Sequence, residues 1–267
     1  MKSKHSKSRK DKINNANINS QITSRRKTRK NKKSKRLILN VLQLVFLCLM
    51  IYSGINIFLW LKDNGASSDI INEISSIIND ENNNVDFEKL KNINNEVVGV
   101  IKVNGTNIEY PVVKHSDNEF YLNHSFDKTE NGAGWIFADY RDSLDGTDRN
   151  TIIYGHNRRD GKMFGTLKNV LKEEWYSNSS NLTISFKTEK EEQKYQVFSV
   201  YKIESEDYYI TTDFTLKTYD EFINTLKKRS VKDFKTEVSN NDKILTLSTC
   251  DNNNKYRVVL HAVKVKE

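Results

Sequence analysis

The chain changes its hydrophobic rhythm three times, and each change marks a boundary. Residues 1 to 36 are almost entirely polar, and then Leu37 to Leu61 run for 25 residues with no Asp, Glu, Lys, Arg or His. At ~1.5 Å per residue that run reaches about 37 Å as a helix, enough to span a bilayer, with Trp60 and Lys62 placed to meet an interface. From residue 63 to 96 the apolar positions recur at helical spacing, first Ile70, Ile71, Ile74, Ile77 and Ile78, then Phe87, Leu90 and Ile93 beyond an asparagine run. This is the pattern of a helical stalk whose apolar stripes pack on the domain C-terminal to it.

From Val97 the period becomes strand-like. Eight short runs stand out: Val98 to Val103, Ile108 to Val113, Gly134 to Ala138, Thr151 to Tyr154, Leu182 to Phe186, Tyr195 to Lys202, Lys243 to Thr249 and Tyr256 to Val265. Helical patterns interrupt them at Phe164 to Trp175 and at Thr218 to Lys228, the second with Phe222, Ile223 and Leu226 on one side. A parallel α/β sheet would need a helix between most strands, so a mainly β fold, an eight-stranded barrel decorated by helices, is predicted. The expected organisation is residues 1–36 as a basic tail, 37–61 as a transmembrane helix, 62–96 as the stalk and 97–267 as the barrel domain.

Composition sharpens this in one respect. The net charge of +8 is confined to the tail, where 15 Lys and Arg face a single acid, so the remainder is acidic by six charges. Positive charge stays inside, which puts the N-terminus in the cytoplasm and some two hundred residues outside. A cleaved signal peptide fits less well, because the basic region is too long and the apolar run exceeds the ~7 to 15 residues usual there. Ser24 to Arg36 would suit phosphates, but its position directly before a spanning segment favours anionic lipid over nucleic acid. No Cys-x-x-Cys, His-x-x-x-His or His-Glu-x-x-His spacing and no glycine-rich phosphate loop occurs, so neither a metal site nor another cofactor is expected.

The chemistry that remains centres on Cys250, which Cys48 inside the membrane cannot reach to pair with. Cys250 ends the run Lys-Ile-Leu-Thr-Leu-Ser-Thr-Cys, and the next run begins at Lys255. A hairpin with residues 251–254 as its loop would pair Cys250 with Lys255 and Ser248 with Arg257. Arg257 would then sit diagonally from Cys250 at about 7 to 8 Å, on the same face. A thiol becomes a nucleophile as thiolate, which calls for a nearby base or cation. Of the five histidines, His156 closes an apolar run in Gly-His-Asn at a strand-to-loop edge, where an imidazole can face a cleft. His261, on the strand after Arg257, stays open as the other candidate. A buried, inert cysteine in an anchored binding or scaffold domain is the non-enzymatic alternative.

Tyr154-Gly-His156-Asn, the pentapeptide Thr246-Leu-Ser-Thr-Cys250, and Arg257 within Tyr-Arg-Val-Val-Leu-His-Ala together resemble the sortases. Tyr110-Pro-Val-Val, Asp117-Asn-Glu-Phe-Tyr-Leu122 and Gly134-Trp-Ile-Phe-Ala-Asp139 are similar to the class B branch, over roughly residues 70 to 265. The resemblance implies a sortase-type barrel with a helix between strands 6 and 7. It implies a membrane-anchored cysteine transpeptidase that cuts a sorting signal of NPxTN or PxTG kind after threonine. The acyl group then passes to a wall amine or peptidoglycan precursor. In that reading Cys250 is the nucleophile, His156 the acid–base group and Arg257 the oxyanion stabiliser. Asn118, Leu122, Tyr209, Ile210 and Ser248 line the peptide groove. The short connection from Cys250 to Arg257 departs from some class B members and bears on the groove wall. Other wall-active thiol enzymes fit less well, because NlpC/P60 peptidases place cysteine before histidine and L,D-transpeptidases set theirs in another context.

Overall fold

In the computed structural model the described residues are 4–78, 84–250 and 255–266; the side chains of residues 4–19, 21, 22, 25, 28–34 and 250 lie outside that description. The chain divides into two units, Met1–Trp60 and Leu61–Glu267. The first consists of helix α1 (Lys4–Ile78) up to Trp60. Every apolar side chain from Leu37 onward in that stretch is exposed, and α1 is long and apolar enough there to cross a membrane. Cys48 is a free thiol on this exposed surface.

The second unit begins with the end of α1, where Ile74 and Ile78 are buried, followed by α2 (Phe87–Ile93), which buries Leu90. Asp86 caps α2 by accepting the Lys89 N–H at 3.0 Å, satisfying one of the donors a helix start leaves unpaired. The stalk stripes therefore pack on the barrel core, as their spacing predicts.

The barrel comprises β1 (Val97–Val103), β2 (Ile108–Val113), β3 (Phe137–Ala138), β4 (Asn150–His156), β5 (Thr183–Lys187), β6 (Glu192–Glu204), β7 (Ile244–Cys250) and β8 (Tyr256–Lys264). It closes in the order β1-β2-β3-β4-β7-β8-β6-β5, antiparallel except for the β2–β3 and β4–β7 pairs. Closure leaves no open sheet edge. Between β6 and β7, α4 (Leu216–Arg229) buries Tyr219, Phe222, Ile223 and Leu226 in a second core against β6, β7 and β8. Thr215 and Thr218 form a reciprocal cap at its start, which sets its first turn two residues earlier than the apolar pattern alone suggests.

Three local expectations are corrected. The third strand is two residues long, because Gly134 turns the chain at φ +61° and the Trp135 N–H goes to the Tyr121 carbonyl instead of a ladder. The helical pattern from Phe164 to Trp175 is broken into a 3-10 turn (Leu167–Leu171) and the short α3 (Glu173–Tyr176), because Lys172 between them is extended. The hairpin register is shifted by two: Ser248 pairs with Val259 and Leu247 with Leu260. The Val258 N–H donates to Thr249 Oγ1 at 2.9 Å, on the same register. The ladder ends at Ser248 and Val259, so the expected pairing of Ser248 with Arg257 is not made. A two-residue shift preserves which residues share a face, and only a one-residue slip would have reversed it.

The loop between β3 and β4 carries a buried acid. Asp142 is 1% exposed; one oxygen accepts the Ile152 N–H at 2.7 Å and the other has no partner among the described residues. Burial pushes its carboxyl up to about 8 from the ordinary 3.8, against the pull of the Ile152 N–H and reinforced by Asp139 and Asp148. The folded chain therefore holds a proton that the unfolded chain gives up near pH 4, and stability falls as pH rises between those values. Fully buried His261, lowered to about 3, acts in the opposite sense below its ordinary 6.5. His156, also depressed, acts in the same sense as His261, and both effects fade as the unfolded histidines become neutral above pH 6.5, where the acid dominates. Urea unfolding of residues 61–267 is expected to lose about 1 kcal/mol between pH 6.5 and 8.0, and Asp142→Asn is expected to remove that fall. Parallel slopes would contradict this account of Asp142.

Candidate active site

The parallel pair β4 and β7 ends on the residues of interest. Their register runs from Asn150 opposite Ile244 through Tyr154 opposite Ser248 to His156 opposite Cys250. In a parallel pair, level residues belong to the same face, so the two positions nominated from the sequence are neighbours at one end of the barrel. The side chain of Cys250 is outside the described residues, and its place here is that of its backbone. Beyond His156 the chain doubles back. The His156 carbonyl accepts the N–H groups of Arg158 and Phe164, each at 3.0 Å, and Asn157 bridges to Met163.

The imidazole of His156 is held by one bond, from Nε2 to the Leu122 carbonyl at 2.8 Å. A carbonyl only accepts, so Nε2 carries the hydrogen. Nδ1 is buried with no partner among the described residues. Burial holds the ring below its ordinary 6.5; the Leu122 carbonyl works against this and the charge of Arg158 adds to it. In the neutral ring the lone pair is therefore on Nδ1. Any proton it takes up and returns passes through that atom.

Gly134 makes this placement possible. A Cβ built there would lie 2.6 Å from His156 Cδ2, 2.7 Å from the Tyr121 oxygen and 2.8 Å from the Leu122 oxygen. The absent side chain is the space in which the ring and its carbonyl meet.

His261 is resolved by its surroundings. It is fully buried, with Nδ1 2.8 Å from Thr246 Oγ1 and Nε2 2.8 Å from Tyr201 Oη. Thr246 spends its one hydroxyl hydrogen on Asn150 Oδ1 at 2.6 Å, so His261 donates from Nδ1 and accepts at Nε2. Both nitrogens are used in a structural chain, and this histidine offers nothing to a cleft. Arg257 is half-buried on β8, paired with Ile203 of β6, and donates to the Tyr256 carbonyl at 3.2 Å.

The five positions expected along a groove fall into two groups. Asn118, Leu122 and Ile210 are half-buried. Tyr209 and Ser248 are 3% and 1% exposed and face each other, hydroxyl to hydroxyl, at 3.1 Å. These two form a floor beneath the surface. Asn150 ties the Tyr209–Ile210 turn to β4 through bonds to the Tyr209 carbonyl at 3.3 Å and the Thr211 carbonyl at 3.0 Å.

Sequence reasoning did not single out Asn150, Asp139 or Arg141. Asp139 and Arg141 carried one usable signal, an acid and a base two apart directly after an apolar run. No group of three metal-binding side chains is present among the described residues.

Comparison with known proteins bears on all of this. The family described as "Sortase domain" matches residues 101–265. Sortase B of Listeria monocytogenes is 36% identical over 140 residues, which is 52% of this chain and 56% of that protein, so the match spans little more than half of the relative's length. The solved structure of sortase B from B. anthracis in complex with AAEK1 is 34% identical, covers 78% of this chain and all of that one, and superposes with a TM-score of 0.70. A Staphylococcus aureus sortase B–substrate complex is 33% identical, covers 77% of this chain and 97% of that one, with a TM-score of 0.68.

Proposed function

This chain belongs to the sortase family, in its class B branch, and from that premise we propose that it is a membrane-anchored cysteine transpeptidase of surface-protein sorting signals. The observation that carries the reading is the register pair His156–Cys250 closing β4 and β7, with Arg257 at the start of the adjoining β8. The substrate-bound relative supports a bound substrate here too.

In the proposed reaction His156 Nδ1 takes the thiol proton as the Cys250 sulfur attacks the carbonyl carbon of the threonine in an NPxTN- or PxTG-type signal. The tetrahedral intermediate collapses as the amide C–N bond breaks, and His156, protonated at Nδ1, gives that proton to the leaving amine. A thioester remains. His156 Nδ1 then takes a proton from an incoming wall amine or precursor, which forms a new amide and releases the sulfur. Arg257 cannot lose its proton at working pH, so its part is to steady the oxyanion. Leu122 keeps Nε2 protonated throughout, which confines the transfers to one nitrogen. Asn118, Leu122 and Ile210 would line the groove over the Tyr209–Ser248 floor.

We assign residues 1–36 to the cytoplasm, 37–61 to the membrane, 62–96 to the stalk and 97–267 to an extracellular catalytic domain. The basic tail would meet anionic lipid headgroups, and nothing in the reading calls for nucleic acid. Incubating the chain with fluorogenic NPxTN, PPxTG and LPxTG peptides, with and without an amine, tests the proposal. Cleavage of the NPxTN or PxTG type after threonine is expected, with product shifting from acid to amide as amine is added. No cleavage of any peptide, with Cys250 resistant to alkylation, would favour the binding-domain alternative.

A further inference from the structure

We propose that Asp139 is the positioning residue of the peptide groove: its buried carboxylate, with Arg141, fixes the Asn118 amide and the Ile210 carbonyl where they receive an extended peptide. The inference rests on the transpeptidase reading and deepens it.

Asp139 is 0% exposed and gathers donors from three parts of the chain. Arg141 forks onto it, Nε to Oδ1 at 2.8 Å and Nη2 to Oδ2 at 2.7 Å. Tyr154 Oη donates to Oδ2 at 2.8 Å and Asn118 Nδ2 to the same oxygen at 3.1 Å. A buried carboxylate tolerates such a place only when its lone pairs are filled. Burial alone would raise its pKa, but the Arg141 and Tyr154 bonds outweigh that and hold it below the usual carboxylate range. It therefore stays an acceptor at working pH.

The same network reaches two half-buried residues, Asn118 and Ile210, that the proposed function places along the groove. Arg141 Nη2 also donates to the Ile210 carbonyl at 3.0 Å, tying the turn before α4 to β3. Asn118 is oriented outright: its Oδ1 accepts the Tyr140 N–H at 3.0 Å, while one Nδ2 hydrogen goes to Asp139. The amide cannot flip without setting a donor against a donor and an acceptor against a carboxylate. The other N–H has no partner among the described residues, so in this proposal Asn118 presents a donor and reads a peptide carbonyl. Asp139 touches no substrate in this scheme and acts through Asn118 and Ile210.

The test uses the full chain in detergent micelles with a fluorogenic NPxTN peptide. Asp139→Asn is expected to raise KM about tenfold or more while kcat stays within about threefold, the scale of one or two charged hydrogen bonds. Asn118→Ala should raise KM by no more than Asp139→Asn does, and the double variant should be no worse than Asp139→Asn alone, because the Asn118 contact depends on Asp139. A merely structural role would instead lower the melting temperature and give additive losses. Should Asp139→Asn fail to fold, Arg141→Lys keeps the charge without the fork and is expected to raise KM about fivefold. Unchanged KM in a folded variant, a fall confined to kcat, or additivity in the double variant would overturn the inference with the transpeptidase reading intact. A wild-type chain that cleaves no peptide would remove that reading, and this one with it.

Discussion

Replacing Cys250 by alanine is expected to abolish peptide cleavage and acyl transfer together, by at least about a thousandfold, while the barrel keeps its melting temperature. The argument is one of position. Cys250 is the last residue of β7, paired across a parallel ladder with His156, and Arg257 lies at the start of β8, the other neighbour of β7. No other cysteine belongs to the second unit. In residues 61–267 a thiol-directed alkylating agent therefore reports on this residue alone, and labelling should block activity in proportion. His156→Ala should cost nearly as much, and the double variant no more, because a nucleophile and its acid–base partner act as a unit. Arg257→Ala is expected to lose about a hundredfold, with Arg257→Lys recovering only part, since an ammonium lacks the planar fork. Cleavage surviving in the cysteine variant would end the proposed mechanism.

Most of the scaffold was legible because its signals are local. Strand runs of alternating or continuous apolar residues, a 25-residue apolar stretch and the helical period of α4 all express themselves within a few residues. What escaped depends on contacts distant in sequence. The β7–β8 register came out two residues off because a loop of unknown geometry sets it, yet the face assignment survived by parity. The choice between His156 and His261 needed the Thr246–Asn150 bond, which fixes a proton 15 residues from His261 in sequence. Tyr209 and Ser248 were expected along the groove, and only the fold shows that both side chains are buried and meet hydroxyl to hydroxyl. Asp139 looked like the end of a motif, and only the fold brings Asn118 and Tyr154 to it. The proposed nucleophile and base were readable as residue types, whereas the network around Asp139 was not.

Gly134→Ala is expected to lower kcat by about ten- to a hundredfold with little change in KM, although Gly134 carries no functional group. The new Cβ would stand under 3 Å from His156 Cδ2 and from the Leu122 oxygen, the two partners of the bond that holds the ring. Both cannot stay. The ring is the side that can turn, and turning it breaks the Nε2 bond and brings it out of its buried slot. Its titration should then climb back from below toward the ordinary 6.5, because desolvation is the leading reason it is depressed. Nitrogen NMR of labelled histidine reads both effects: the wild type should show the Nε2–H form and the variant a mixture titrating at higher pH. Two causes could produce such a loss, and a third variant separates them. Gly134 sits at φ +61°, which asparagine tolerates far better than alanine. If backbone strain were the cause, Gly134→Asn would recover most of the activity. Because the obstruction is the Cβ itself, Gly134→Asn should be at least as impaired as Gly134→Ala, and a rescued asparagine variant would show that the ring is not held by the space this glycine leaves.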